Sequence, residues 1–254
     1  MACISGTMRL VSKLVAATLG GIVSASVFAG ECRQTAYLTF DTGNMAHAQF
    51  IADTLRQRNI RATFFLSNTP TYRGDHALDE SWRDYWQQRV SEGHVMGNHT
   101  WSHYFARQDD NDGRLRVVDR SGKTHHLSRS QWCAELSRVE QQFNKLTGKR
   151  LRAMWRAPGG RTTQQSLRWA AQCGYPVHIG WDDAGYVGDD ASSERVSNET
   201  LLANALKNIS NGDIVLMHLG IWSRKTPAAP ILPQLLDGLA RRGFCFDQMT
   251  AGKR

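Results

Sequence analysis

Side chains suited to acid–base or metal chemistry follow short apolar runs at several places in the sequence. Asp41 and His218 each end a run of apolar or β-branched residues, and Arg156 follows a third. His99 and His103 are separated by three residues, a spacing that can bring two imidazoles to one metal ion. A carboxylate can act as a general base, an imidazole as a general acid, and a guanidinium can hold the carboxylate ionised. The set therefore predicts a hydrolytic or metal-assisted site, provided that the fold brings these residues together.

The elements around these residues alternate between short strands and longer helices. Residue type and turn signals predict strands at 36–40, 62–66, 153–156, 177–181, 214–218 and 244–246. Helical periodicity and following glycines predict helices at 46–58, 79–91, 130–146, 163–172, 199–209 and 231–241. This order is typical of a parallel sheet with crossover helices, in which reactive side chains gather at the carboxyl ends of the strands.

One segment interrupts this alternation. Residues 104–127 are polar, and they contain a turn sequence at 119–122, so we predict an insertion with a hairpin that lies over the site. No Pro/Ser-rich linker and no repeat of 20–50 residues divides the rest, so a single α/β domain is expected over 30–254.

The first 29 residues have the pattern of a secretory signal peptide. Arg9 and Lys13 precede an apolar stretch, and Val27-Phe28-Ala29 offers small residues for cleavage. We therefore expect a periplasmic or secreted protein with no stable membrane span after cleavage. The formal net charge is +8, but the basic residues are scattered, which argues against nucleic acid as a partner. The oligomeric state is not predicted.

Four cysteines follow the predicted cleavage site, and an even number in an exported protein is compatible with two disulfides. Three pairings are possible, and buried free thiols are the alternative. We favour a bond between Cys32 and Cys245, which would join the first and last strands.

Taken in order, these residues resemble the motifs of the NodB-type polysaccharide deacetylases, carbohydrate esterase family 4. Thr39-Phe40-Asp41 resembles the start of the TFDD motif, and His99-Thr100-Trp101-Ser102-His103 matches the H[ST]xxH motif. The remaining three motifs also have similar segments further along the chain. These are Arg156 with Pro158-Gly159-Gly160, then Trp181-Asp182-Asp183, then Leu216-Met217-His218. The resemblance covers residues 36–246 and implies a distorted (β/α) barrel.

The resemblance also implies a role for each motif position. Asp41 would be the catalytic base, Arg156 its orienting partner and His218 the general acid. An Asp beside a Trp would tune the acid, and we choose Asp182 over Asp183. The implied metal ligands are His99 and His103, and the expected substrate contacts are Gly159, Gly160, Trp181 and Leu216. Backbone N–H groups of the two glycines could face the oxyanion.

Thr42 is the important departure from the family pattern. The second Asp of TFDD supplies the anionic metal ligand in the family, whereas threonine is neutral. The expected cofactor is a divalent metal, with zinc the first candidate, yet two imidazoles alone are an incomplete zinc site. Asp41 or Asn44 could complete it, or the site could work without metal.

The function that the resemblance implies is removal of acetyl groups from a polysaccharide or cell-envelope glycan, through a C–N amide or an ester bond. Two alternatives stay open because of Thr42. One is a metal-independent amidohydrolase that acts on a small amide. The other is a carbohydrate-binding protein that has lost turnover.

Overall fold

The structure, a computed structural model, describes residues 32–250, so the predicted signal peptide at 1–29 lies outside the described residues. A parallel sheet forms the centre of the fold. Its strands are β1 (Gln34–Asp41), β2 (Thr63–Leu66), β3 (Val95–Asn98), β7 (Met154–Trp155), β8 (Val177–His178), β9 (Ile214–His218) and β10 (Phe244–Asp247). A separate antiparallel sheet contains β4 (Phe105–Asp109), β5 (Leu115–Val118) and β6 (Thr124–Leu127).

The helices connect these strands in the order that the sequence predicts. They are α1 (Ala48–Gln57), α2 (Arg83–Ser91), α3 (Arg129–Thr147), α4 (Gln164–Gln172), α5 (Asn198–Asn208) and α6 (Leu232–Arg241). Side chains fix several helix ends: Ser128 and Gln131 form a capping box at the start of α3, and Gly148 ends that helix at φ 69°. The strand β3 was not among the predicted strands, because Gly97 and Asn98 within it give no β signal.

The parallel sheet curls into the predicted distorted barrel. Along the sheet β1 pairs with β2, β2 with β3, β3 with β7 and β7 with β8, while β9 pairs with β1. Between β8 and β9 the segment 182–187 narrows the remaining gap, because Tyr186 forms a single parallel bridge to Leu216 of β9. The carboxyl ends of the strands therefore meet at one end of the barrel.

Of the three apolar cores within residues 32–250, the two with the most residues hold these elements together. The larger one lies between the sheet and helices α1 and α6, where Phe40, Ile51, Leu55, Leu235 and Leu239 are fully buried or nearly so. The smaller one fastens the three-stranded sheet to α3 and α4. It consists of Ala106, Leu115, Val117, Leu127, Trp132, Leu136, Trp155, Ala157, Trp169, Ala170 and Tyr175. The segment 104–127 is thus a packed part of the fold, with its turn at 119–122 between β5 and β6.

Two disulfides add covalent links. Cys32 bonds to Cys245 beside the paired strands β1 and β10, as the sequence favoured, and Cys133 bonds to Cys173 between α3 and the end of α4. Within residues 32–250 no helix is both long and apolar enough to cross a bilayer.

Candidate active site

A cavity of about 500 Å³ opens at the carboxyl ends of the barrel strands. Most of the residues singled out in the sequence contribute to its wall. Those that line it are Asp41, His99, His103, Gly159, Trp181, Leu216 and His218. Arg156, Asp182 and Gly160 are not among the lining residues, and each has a different place in the structure.

Asp41 is the last residue of β1 and is buried at the base of the cavity. Its Oδ1 accepts a hydrogen bond of 2.9 Å from Nη1 of Arg156, and its Oδ2 lies 3.3 Å from Nε2 of His99. Burial raises the pKa of Asp41, but the charge and hydrogen bond of Arg156, together with the charge of His218, outweigh that effect and hold the pKa below its ordinary value. Asp41 is therefore an ionised carboxylate at neutral pH.

Arg156 lies behind Asp41 and is completely buried. Besides its bond to Asp41, its Nε donates to the carbonyl of Ile179 at 3.1 Å and its Nη2 to the carbonyl of Gly180 at 2.8 Å. The guanidinium also lies over the ring of Phe65, 4.2 Å from its centroid. These contacts fix the plane of the guanidinium and, through it, the orientation of the Asp41 carboxylate.

His99 and His103 lie close together, with ring centroids 4.8 Å apart. Nδ1 of His99 is 2.9 Å from the carbonyl oxygen of Arg156, and because a carbonyl only accepts, Nδ1 carries the proton. Burial lowers the pKa of both imidazoles, so both are neutral at pH 7 and Nε2 of His99 presents a lone pair. His103 is reached through a loop with backbone strain, since Thr100 and His103 have φ of 62° and 55°.

Glu135 of α3 holds this loop, and sequence reasoning missed it. Its Oε2 accepts the backbone N–H of Ser102 at 2.6 Å, and its Oε1 accepts the Ser102 hydroxyl at 2.9 Å. Trp101 also donates its N–H to the backbone carbonyl of Glu135. The signal was available, because Glu135 is an acid on the apolar face of a predicted helix, between Trp132 and Val139.

The acidic partner of His218 is Asp189, which corrects the prediction of Asp182. Nδ1 of His218 donates to Oδ1 of Asp189 at 2.9 Å, and the backbone N–H of His218 donates to Oδ2 at 2.7 Å. Burial alone would lower the pKa of His218, but the charge and hydrogen bond of Asp189 raise it to about 9. His218 is therefore a protonated imidazole at neutral pH.

Asp182 instead forms a hydrogen bond within the wall of the barrel. Its carboxylate accepts the backbone N–H of Ile214 at 2.8 Å, at the gap between β8 and β9. The sequence pointed to Asp182 because it adjoins Trp181, whereas Gly188-Asp189-Asp190 had the composition of an ordinary turn. No local signal distinguished Asp189 from a turn residue.

Gly160 also departs from its predicted role. Its N–H donates to the carbonyl of Ala157 at 2.9 Å, so that group is not free to face an oxyanion. A Cβ at this position would lie 2.7 Å from the ring of Trp181, which explains the glycine by packing. Gly159, by contrast, lines the cavity, with φ 64°.

Several donor atoms at the cavity are suited to a divalent metal. Two neutral imidazoles face the cavity, Nδ1 of His103 is buried with no hydrogen-bond partner, and Nε2 of His99 faces a carboxylate without a proton between them. These donors suit a zinc-type ion. Thr42 is not among the residues that line the cavity, and its neutral Oγ1 accepts the N–H of Ser67 at 3.3 Å. Across residues 32–250 no three His, Cys, Asp or Glu side chains form a closed metal site.

Aromatic side chains form part of the cavity wall. Trp181 and Tyr186 are stacked with centroids 6.3 Å apart, and both line the cavity together with Trp222 and Phe105. Trp222 is 55% exposed and Tyr186 is 40% exposed. Among these residues, only Trp181 was predicted to contact the substrate. Exposed aromatic faces of this kind are suited to stacking against the apolar face of a ring.

Comparisons with known proteins identify the family of this chain. The family described as Polysaccharide deacetylase matches residues 29–178. A curated relative, peptidoglycan-N-acetylglucosamine deacetylase of Bacillus cereus, is 26% identical over 211 residues, which cover 82% of this chain and 64% of that protein. The chain thus spans less than two thirds of that relative's length.

Solved structures share the fold. A family 4 acetyl xylan esterase from Clostridium thermocellum in complex with a cobalt ion has a TM-score of 0.63 and 20% identity, covering 85% of this chain and 88% of that one. A family 4 pseudoenzyme from Bacillus anthracis also has a TM-score of 0.63, with 18% identity, covering 85% and 64%. With the family match over more than half of its residues, this chain belongs to the polysaccharide deacetylase family.

Proposed function

We propose that this protein is an exported hydrolase that removes the acetyl group from N-acetylated sugars of a cell-envelope polysaccharide. One observation carries the proposal: an ionised carboxylate, Asp41, and a protonated imidazole, His218, line the same cavity on directly paired positions of adjacent strands. Hydrolysis of an amide needs a base for water and an acid for the leaving amine, and these two groups have the required protonation states.

In the reaction, Asp41 removes a proton from water as the water oxygen bonds to the acetyl carbonyl carbon. The C–N bond then breaks as His218 protonates the departing nitrogen. Acetate leaves, and the sugar keeps the free amine. Arg156 is a positioning residue, because its hydrogen bond keeps Asp41 ionised and aligned. Asp189 acts in the same way on His218, by fixing its tautomer and stabilising its charge.

A divalent metal would be held by His99 and His103. When bound, such an ion lowers the pKa of water and polarises a carbonyl oxygen. Glu135 supports the pair by holding the loop between them, and the carbonyl of Arg156 keeps His99 in the tautomer that presents Nε2.

Carbohydrate as the substrate class is supported by the aromatic wall and by the family. Trp181, Tyr186 and Trp222 would stack on sugar rings, while Leu216 lines the part of the cavity next to His218. The B. cereus relative is named for peptidoglycan N-acetylglucosamine. Export to the periplasm or beyond is supported by the signal-like residues 1–29 and by two disulfides, since disulfides persist in oxidising compartments.

The test is acetate release from N-acetylated chito-oligosaccharides and from peptidoglycan by the purified protein. We expect EDTA to abolish release and zinc or cobalt to restore it. His218→Gln should reduce kcat by about 100-fold or more, since general acids contribute on that scale. His76→Gln, at an exposed histidine outside the cavity, is the matched control. Full turnover by the His218 variant would refute the assigned acid.

Thr42 favours a second candidate, a glycan-binding protein without turnover. The neutral, already bonded Oγ1 of Thr42 leaves the imidazole pair without the anionic ligand that the family motif carries. Saturable binding of oligosaccharides, with no acetate released under any metal supplied, would select this candidate. EDTA-resistant acetate release would instead select the metal-independent hydrolase.

A further inference from the structure

Arg120 is a cation at the cavity that the proposed reaction does not use. It lies in the turn between β5 and β6, well away in sequence from every motif of the active site, and its side chain lines the cavity together with His103 and Phe105. Within residues 32–250 no carboxylate pairs with Arg120. Arg120 is exposed, so its guanidinium is accessible to a ligand in the cavity.

The turn that carries Arg120 is fixed by its own hydrogen bonds. Oδ1 of Asp119 accepts the N–H of Ser121 at 2.9 Å and the N–H of Lys123 at 3.0 Å. Oδ2 of Asp119 pairs with Nε2 of His125 at 2.8 Å. The acid adjacent to Arg120 is therefore fully engaged with the turn, and it cannot neutralise the guanidinium.

The other acids of the cavity do not neutralise Arg120 either. Asp41 is paired with Arg156, and Asp190 accepts a hydrogen bond from the hydroxyl of Tyr186. The three-stranded sheet that presents Arg120 is anchored by buried Leu115 and Val117, so it holds the side chain at the cavity. An accessible guanidinium without an acidic partner at a binding cavity is suited to an anion of the ligand, most directly a carboxylate that accepts two parallel hydrogen bonds.

We infer that Arg120 binds a carboxylate carried by the glycan, so that the preferred substrate is an acidic polysaccharide in which carboxylated sugars neighbour the N-acetylated one. This inference rests on the proposed function, which supplies the N-acetylated polysaccharide as substrate. The inference adds that this polysaccharide is negatively charged. The formal net charge stays positive after the predicted removal of residues 1–29, which favours the same class of partner because a basic protein attracts anionic polymers. The carboxylate could be a uronic acid or a lactyl ether on an amino sugar.

The experiment compares three tetrasaccharides. Chitotetraose is neutral, a hyaluronan tetrasaccharide supplies uronates, and a tetrasaccharide of alternating N-acetylglucosamine and N-acetylmuramic acid supplies lactyl carboxylates. Binding is measured by calorimetry in the His218→Gln background, and acetate release is measured with His218 intact. The variants are Arg120→Gln, Arg120→Lys and, as the matched control, Lys123→Gln in the same turn but outside the cavity.

We expect Arg120→Gln to weaken binding of one or both acidic tetrasaccharides by about tenfold to a hundredfold, the range of a hydrogen bond between charged groups. The affinity of Arg120→Gln for chitotetraose should stay within about twofold of that of the unaltered protein. Arg120→Lys should retain part of the preference for acidic ligands, because lysine keeps the positive charge but lacks the two parallel donors of the guanidinium. Which acidic ligand responds identifies the source of the carboxylate.

Equal effects of Arg120→Gln on all three ligands, or no binding of either acidic ligand, would overturn the inference. Charge-selective binding without any acetate release would sustain it while refuting the hydrolytic function. If the Arg120 variants release acetate from every substrate at the rate of the unaltered protein, the hydrolytic function is sustained and the inference about Arg120 is refuted.

Discussion

Asp189 sets the proton affinity of His218, and this relation can be measured as a pH dependence. The pKa of His218 is raised from 6.5 to about 9, so the acid is protonated below that pH and is lost as the pH rises through it. Asp41 has a lowered pKa and is ionised across the neutral range. Turnover should therefore be flat through neutral pH and fall on the alkaline side near pH 9.

Asp189→Asn should move this alkaline limb toward the ordinary imidazole value of 6.5, because it removes the charge that stabilises the imidazolium. The measurement is kcat/KM against pH for both proteins. Asp182→Asn is the control, since Asp182 bonds to Ile214 and should leave the limb in place. A limb that stays near pH 9 in the Asp189 variant would exclude His218 as the group that titrates.

Thr42 can be tested by restoring the acid of the family motif. Thr42→Asp should raise the affinity for zinc by at least about tenfold. The new carboxylate would join the two imidazoles as a third ligand, and zinc sites in proteins usually have at least three protein ligands. The readout is metal content and competition with a chelator, independent of turnover. Thr42→Ser keeps the hydroxyl that accepts the N–H of Ser67 and should bind zinc as the unaltered protein does. Equal affinities for the Asp and Ser variants would show that position 42 does not face the metal.

At the scale of elements, α3 supports the loop that carries His103. Glu135→Ala removes both acceptors from Ser102, so the loop with positive φ at Thr100 and His103 should relax. We expect zinc affinity to fall by about tenfold or more, as for other residues that support metal ligands. Unfolding in urea should show a loss of about 1–3 kcal/mol from the unpaired N–H of Ser102.

Glu140→Ala provides the comparison, because Glu140 also lies on α3 but bonds to Arg150 and Tyr175 away from the cavity. It should leave zinc affinity unchanged. If both variants lose zinc alike, the effect comes from α3 as a whole rather than from the Ser102 contact.

The elements themselves were largely predictable, while their side-chain partners were not. Apolar runs and helix caps are local, so β1, β9 and α3 could be located from neighbouring residues alone. β3 was missed because its burial comes from the strands on both sides and not from its own composition. Asp189, likewise, reaches His218 across 29 residues of chain, and nothing in its own neighbourhood marks it.

At the scale of the whole molecule, the disulfides act through the length of chain they enclose. Cys32 and Cys245 are 213 residues apart, whereas Cys133 and Cys173 are 40 apart. In the chain-entropy account the longer loop gives the larger stabilisation, and native disulfides typically contribute about 2–5 kcal/mol. The Cys32→Ser/Cys245→Ser double variant should therefore lose more stability than the Cys133→Ser/Cys173→Ser double variant.

Thermal unfolding of both double variants, with and without a reductant, checks this expectation. A reductant should lower the Tm of the unaltered protein toward the less stable double variant. Identical Tm values in all conditions would mean that neither bond constrains the unfolded chain.

The direct pairing of Asp41 with His218 across β1 and β9 has a consequence for how the molecule loses its chemistry. Both residues end buried strands that pair directly with each other, and the amide protons of these strands should exchange with deuterium only when the whole domain opens. The turn with Arg120 is exposed and can open locally at lower free energy than the domain. Mild denaturant should thus erase discrimination between substrates first, while the reactive pair persists until the domain unfolds in one cooperative step.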